Sequence, residues 1–169
     1  MGAVSSGTAR VTLPSDEQIL ITREFDAPKH LVYRAWTTPE LVRRWWNAKR
    51  GEVTTCEIDL RVGGTWRYVM IADGGLEVGF HGEFLEIVPD ERIVSTEVYE
   101  GLPQDVSEEE GRTVNTATFS EADGRTTLTI LVQAESRASR DAIIDSGMEA
   151  GMQDAMDLLE EVAVSLLSG

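Results

Sequence analysis

The sequence predicts an α+β fold: a seven-stranded antiparallel sheet curved around one long C-terminal helix, with two short helices after the first strand. Between residues 52 and 133, apolar and polar residues alternate in short runs closed by Gly63-Gly64, Asp73-Gly74-Gly75, Pro89-Asp90 and Asp123-Gly124. The period then lengthens. Ile144, Met148, Met152, Ala155, Leu159, Val162 and Leu166 step by threes and fours, with Glu149, Asp154, Asp157, Glu160 and Glu161 on the opposite side. A sheet with one apolar face buries it only by curling around this helix, because the two short helices are too small to cover it.

Residues 1–16 are small and polar and read as a disordered leader, so the domain is expected over 17–169. Ile19, Ile21 and, with a slip, Phe25 define the first strand, which ends at Ala27-Pro28. Pro28 suits a first helical turn, and Leu31, Val32, Ala35 and Trp36 follow at helical spacing. Thr38-Pro39-Glu40 starts a second short helix through Leu41, Val42, Trp45 and Trp46, broken by 47–51. Six strands follow, near 53–60, 65–72, 77–88, 93–99, 113–121 and 126–133. Residues 100–111, with a glycine, a proline and an acidic triplet, form the one long loop. Gly147 and Gly151 cost helix roughly 1 kcal/mol each relative to alanine, so they imply close packing or a binding role.

With its 15 glycines, the 41% hydrophobic share makes roughly half the chain apolar, which excludes disorder as a description of the whole. Cys56 is the single cysteine, so no internal disulfide forms; a reducing compartment, the cytoplasm, is expected. The net charge of −15 argues against capture of nucleic acid or anionic lipid. No apolar run reaches the ~20 residues of a membrane-spanning helix. Twelve carboxylates lie between Asp73 and Glu110 against the single base Arg92, and they read as a solvated face.

Five motifs in order carry a resemblance to a known family. They are Val32-Tyr33-Arg34-Ala35-Trp36-Thr37-Thr38-Pro39-Glu40, Arg44-Trp45-Trp46, Asp59-Leu60-Arg61-Val62-Gly63-Gly64, Val88-Pro89-Asp90-Glu91-Arg92-Ile93-Val94 and Gly147-Met148-Glu149-Ala150-Gly151-Met152. The chain resembles the SRPBCC (START-like) superfamily over about 18–167, specifically the branch named for the activator of the heat-shock-protein-90 ATPase. The resemblance implies a helix-grip fold with a deep cavity between sheet and C-terminal helix, used by relatives for lipids, polyketides and other apolar ligands. It implies no reaction. The co-chaperone's binding to the chaperone draws on a separate N-terminal domain for which this chain has no length, so no chaperone partner is expected. A homodimer is left open.

Strand alternation places the site. Pairing Ala72 with Leu76 puts Trp66, Tyr68 and Met70 on the side of Phe80, Gly82 and Val78. Pairing Val88 with Ile93 puts Glu86 opposite Ser95 and Phe84 opposite Glu97. Asn115 shares a side with Ala117 and Phe119. Met148, Met152 and Met156 form one helix face, with Gly151 opening space beside them. The expected ligand-binding set is Trp46, Trp66, Tyr68, Met70, Phe80, Phe84, Ser95, Glu97, Asn115, Met148, Gly151 and Met152, since methionine and aromatic surfaces repack around apolar guests. A buried Glu97 would have a raised pKa or recruit Tyr68, Asn115 or an arginine.

No Gly-Xaa-Ser-Xaa-Gly elbow, phosphate loop, dinucleotide fingerprint or His-Glu-Xaa-Xaa-His helix occurs, so no catalytic residue, metal or cofactor is assigned. His30 and His81 read as surface residues and Cys56 as a buried inert thiol. Arg43, Arg44, Lys49 and Arg50 are the one basic cluster. The leading expectation is binding of a small hydrophobic, lipid- or polyketide-like ligand. Two alternatives remain: a polyketide cyclase or dehydratase using Tyr68, Glu97 and Asn115, and a protein-interaction module using the acidic face or exposed Trp45 and Trp46.

Overall fold

The computed structural model describes residues 9–102 and 104–168. Its strands are β1 (Arg10–Thr12), β2 (Gln18–Phe25), β3 (Gly51–Ile58), β4 (Thr65–Ala72), β5 (Glu77–Val88), β6 (Arg92–Tyr99), β7 (Thr113–Ala122) and β8 (Arg125–Gln133). Helices α1 (Lys29–Thr37) and α2 (Pro39–Val42) follow β2. Helix α3 (Glu108–Gly111) lies between β6 and β7, and α4 (Arg137–Asp145) and α5 (Met148–Ser165) close the chain. All strands join one antiparallel sheet in the order β1-β2-β8-β7-β6-β5-β4-β3.

One face of this sheet makes the core. Ile93 pairs with Ala117, Ala117 with Ile130 and Ile130 with Ile21, giving an apolar row across four strands. Met156, Leu159, Val162 and Ala163 of α5 are buried in the same cluster. Bulges between Val53 and Thr55 and between Phe84 and Glu86 add one residue each to β3 and β5, bending the strands. No described helix is long and apolar enough to cross a membrane.

Five expectations need correction. The sheet has eight strands, because Arg10–Thr12, inside the stretch expected to be a disordered leader, pairs with Leu20–Thr22. Three residues are too few to show alternation; the backbone of Ala9, bonded through both its N–H and C=O to the Gln153 side chain, secures the segment. Residues 1–8 of that leader lie outside the described residues. The terminal helix is broken: Gly147 has φ +82° and starts α5 after α4 ends. Its left-handed backbone, rather than close packing, explains that glycine. Gly151 is not tightly packed either, since a Cβ there would meet nothing within 4 Å.

The β5–β6 turn is one residue tighter than expected. Val88 pairs with Arg92 and Ile87 with Ile93 around Asp90 at φ +64°. Residues 100–111 contain a helical turn, α3, whose Ser107 and Glu110 form a reciprocal capping box; Pro103 lies outside the described residues. Finally, β2 alternates without a slip. The inner position between Ile21 and Phe25 belongs to Arg23, which is only 1% exposed. Its guanidinium lies 3.2 Å from Asp157 and 2.8 Å from Glu160 of α5, and 5.0 Å from the Phe25 ring centre.

Ion pairs and hydrogen bonds moor α5 to opposite parts of the sheet. Arg23 holds it near β2, and Gln153 ties it to Ala9. On the other side, Arg50 pairs with Asp154 at 2.6 Å.

Candidate functional site

The inner face of β3–β6 carries large side chains that stay half exposed. Tyr68, Met70 and Phe80 are half-buried, as are Ser95, Glu97 and Asn115, and Met148, Gly151 and Met152 on the first turns of α5. The aromatic contacts are specific. Trp46, placed by the turn after α2, meets Tyr68 and Phe80 edge-on at 5.5 and 5.9 Å between ring centres. Tyr68 also lies 4.8 Å from Trp66, and Phe80 lies 5.1 Å from Tyr99.

Gly82 makes room for this arrangement. A Cβ there would fall on the Thr96 carbonyl oxygen and 2.6 Å from the indole nitrogen of Trp66. Without one, Trp66 Nε1–H reaches across β5 and donates to Thr96 O at 3.2 Å. Trp66 and Phe84 are consequently core residues, 8% and 6% exposed, and line the half-exposed strip only from beneath.

The polar part of the strip follows from register. Phe84 pairs with Ser95, Ser95 with Asn115 and Asn115 with Val132, so Ser95 and Asn115 lie in one row of the inner face. Glu97 pairs with Thr113 one step along. Asn115 Nδ2 donates to Glu97 Oε1 at 3.1 Å, one of the three kinds of partner that the sequence left open. Burial raises the Glu97 pKa, and that hydrogen bond partly opposes the rise. Burial, then the charges of Cys56 and Glu97, push the Tyr68 hydroxyl far above its usual range. The buried Asn115 Oδ1 and Thr113 Oγ1 have no hydrogen-bond partner.

The expected pairing of Phe84 with Glu97 is displaced by two residues, one from the tighter β5–β6 turn and one from the bulge, which puts Phe84 opposite Ser95. Glu86 is turned away from that face: it pairs with Val94 and forms an ion pair with Arg92 at 2.7 Å. Trp45, expected at an exposed surface, is 5% exposed. It stacks on Trp36 at 5.2 Å and donates to Ala35 O. This removes Trp45 from the expected exposed surface, while Trp46 stays half-exposed. Cys56 is buried and its thiol pKa is pushed up to about 11, mainly by burial, as an inert thiol requires.

Sequence reasoning missed Thr113, whose position next to Glu97 depends on the β6–β7 register, and Tyr99, which the Phe80 pairing brings to the ring cluster. It also missed the outer-face cluster in which Glu100 accepts two hydrogen bonds from Arg67 at 2.9 Å and contacts His81 Nδ1 at 2.9 Å. A hollow of about 250 Å³ lies elsewhere, beside the β5–β6 turn, lined by Val88, Glu91, Arg92, Thr118, Phe119 and Ser120. Among the described residues, no group of three or more His, Cys, Asp or Glu could hold a metal ion.

Known proteins share this architecture. A Rhodobacter sphaeroides protein of 24% identity superposes with a TM-score of 0.83, covering 94% of this chain and 99% of its own. An Arthrobacter aurescens protein of 26% identity gives 0.80, with 92% and 91% covered. A Chromobacterium violaceum protein of 27% identity gives 0.71, with 86% and 96% covered. No curated protein matches the chain. The family model for Activator of Hsp90 ATPase homolog 1-like proteins matches residues 26–163. A curved antiparallel sheet closed by a C-terminal helix, matched over most of its length, places this chain in the Activator of Hsp90 ATPase homolog 1-like family, with the SRPBCC fold.

Proposed function

We propose that the protein binds a small hydrophobic ligand, lipid- or polyketide-like, along the inner face of β3–β6 beneath the first turns of α5. The half-exposed apolar strip of Trp46, Tyr68, Met70, Phe80, Met148 and Met152 carries this reading. Apolar surface left open to water forgoes roughly 25 cal/mol per Å², which a complementary guest would recover. Met148 and Met152 suit guests of varied shape, and a Cβ at Gly151 beside them would meet nothing within 4 Å. One buried free thiol suits a reducing cytoplasm.

Titration with the apolar fluorophore N-phenyl-1-naphthylamine tests the placement. Saturable binding is expected, and Gly151→Trp should weaken it at least tenfold by filling the open space. Unchanged binding by a folded Gly151→Trp variant would refute the placement.

A second reading, proton transfer on an enolizable polyketide-like chain, has one observation in its favour. Glu97 has its pKa raised by burial and is oriented by Asn115 within the electrostatic reach of Tyr68. It requires that Glu97→Gln abolish turnover of such a chain while leaving its binding intact.

A further inference from the structure

The polar groups on the inner face are mismatched in a directional way. Asn115 turns its amide N–H toward Glu97, the orientation a carboxylate acceptor demands, which leaves Asn115 Oδ1 buried without a donor. The same amide is the hydrogen-bond partner of Glu97, and only its Oε1 is engaged. Among the described residues, no lysine, arginine or histidine forms an ion pair with this carboxyl. Thr113 Oγ1, one pairing position away, is also buried and unmatched. The site therefore leaves the Asn115 Oδ1 and one Glu97 oxygen open as acceptors, sets beside them a Thr113 hydroxyl able to donate or accept, and brings no positive charge. Leaving such groups buried and unmatched is costly, so their retention points to an occupant that completes them.

The neighbouring rings narrow the chemistry. Trp46 and Phe80 stand edge-on and near one another, with Tyr68 contacting Trp46 and sensing the Glu97 charge. Aromatic faces beside an uncompensated carboxyl attract cations, and the net charge of −15 raises cation concentration around the whole molecule. An ammonium group has up to three donors and no acceptor, the complement of these oxygens. A hydroxyl brings a single donor and no charge to set against Glu97, and a carboxylate would meet Glu97 with like charge.

Resting on the hydrophobic-ligand reading above, we infer that the ligand is an amphiphile whose polar end is a protonated amine, set against Glu97 and Asn115 with its apolar body along Trp46, Tyr68 and Phe80.

Displacement of bound N-phenyl-1-naphthylamine by dodecylamine, dodecanol and dodecanoate, all below their micelle concentrations at pH 7, tests it. Dodecylamine should compete at least tenfold better than dodecanol, and dodecanoate should be weakest. Glu97→Gln, which preserves shape, should erase the amine's advantage while dodecanol binding stays within about twofold. Asn115→Ala should reduce the same advantage, giving a second variant that removes the orphaned acceptor. Equal competition by amine and alcohol, or an amine preference that survives Glu97→Gln, overturns the amine assignment while hydrophobic binding stands. Absence of binding by the fluorophore and all three competitors overturns both readings.

Discussion

Arg23→Ala should be strongly destabilising, although nothing in the local pattern of β2 distinguishes that position from an apolar one. The guanidinium is 1% exposed and bridges Asp157 at 3.2 Å and Glu160 at 2.8 Å, whose side chains are 41% and 18% exposed. Glu160 also accepts from the Asp26 backbone N–H at 2.9 Å, so it is already fixed in place. Removing one member of a buried pair costs about 3–5 kcal/mol, because the partner charges remain without compensation. The partial exposure of Asp157 lets water recover part of this, which puts the loss near 3 kcal/mol. A domain of this size shifts by roughly 2–4 °C per kcal/mol, so calorimetry should show Tm falling by about 6–12 °C. The double-mutant cycle with Glu160→Ala should give a coupling energy above about 1 kcal/mol, little changed by added salt because the cation is shielded. A fall of less than 2 °C, or negligible coupling, would refute the view that this cluster fastens α5 to β2.

Three further outcomes follow from local chemistry. Gly147→Ala forces a side chain into φ +82° and should cost about 1–2 kcal/mol. Gly151→Ala, in a helix interior with open space around its Cβ, should gain up to about 1 kcal/mol, so urea melts of the two should move in opposite directions. Glu97 binds its proton more tightly folded than unfolded, so its contribution is full below the unfolded pKa and lost as pH rises through the folded one. Glu97→Gln should therefore match the parent at pH 4 and exceed it in Tm at pH 8, and a constant difference would contradict the burial effect. Glu100 behaves oppositely: hydrogen bonding to Arg67 lowers its pKa to about 2, so its stabilisation is present above the unfolded value and disappears as pH falls toward 2. Glu100→Gln should lose a small amount of stability at pH 7 and nothing at pH 2, since pairs near the surface are weak.

The alternation of β3 to β8 was legible because their inner faces are apolar and their turns carry the residues that tight reversals require. Asp123-Gly124, both at positive φ between Ala122 and Arg125, is the clearest case. The Glu97–Asn115 contact was legible too, since parity alone puts both on the inner face of the sheet. Bulges were not. The tighter β5–β6 turn and the extra residue at Leu85 each shifted the ladder by one, together moving Phe84 from Glu97 to Ser95, and nothing in the composition of 77–88 marks where the ladder skips.

Arg23 was obscured for a different reason. A charge on an inward position breaks the apolar pattern, and its justification lies in carboxylates more than 130 residues away. Gly147 and Gly151 look alike in the sequence, four residues apart in one apolar repeat. Only backbone geometry separates a helix start from an open helical position. Trp45 and Trp46 are adjacent, yet one points into the core against Trp36 and the other over Tyr68.

Native mass spectrometry of the protein purified from its own source tests the central claim most directly. The account predicts a retained small molecule of low polarity, released by Gly151→Trp and, if its head is an amine, lost preferentially from Glu97→Gln. A clean apo mass at gentle desolvation, from protein that also fails to bind N-phenyl-1-naphthylamine, would contradict it.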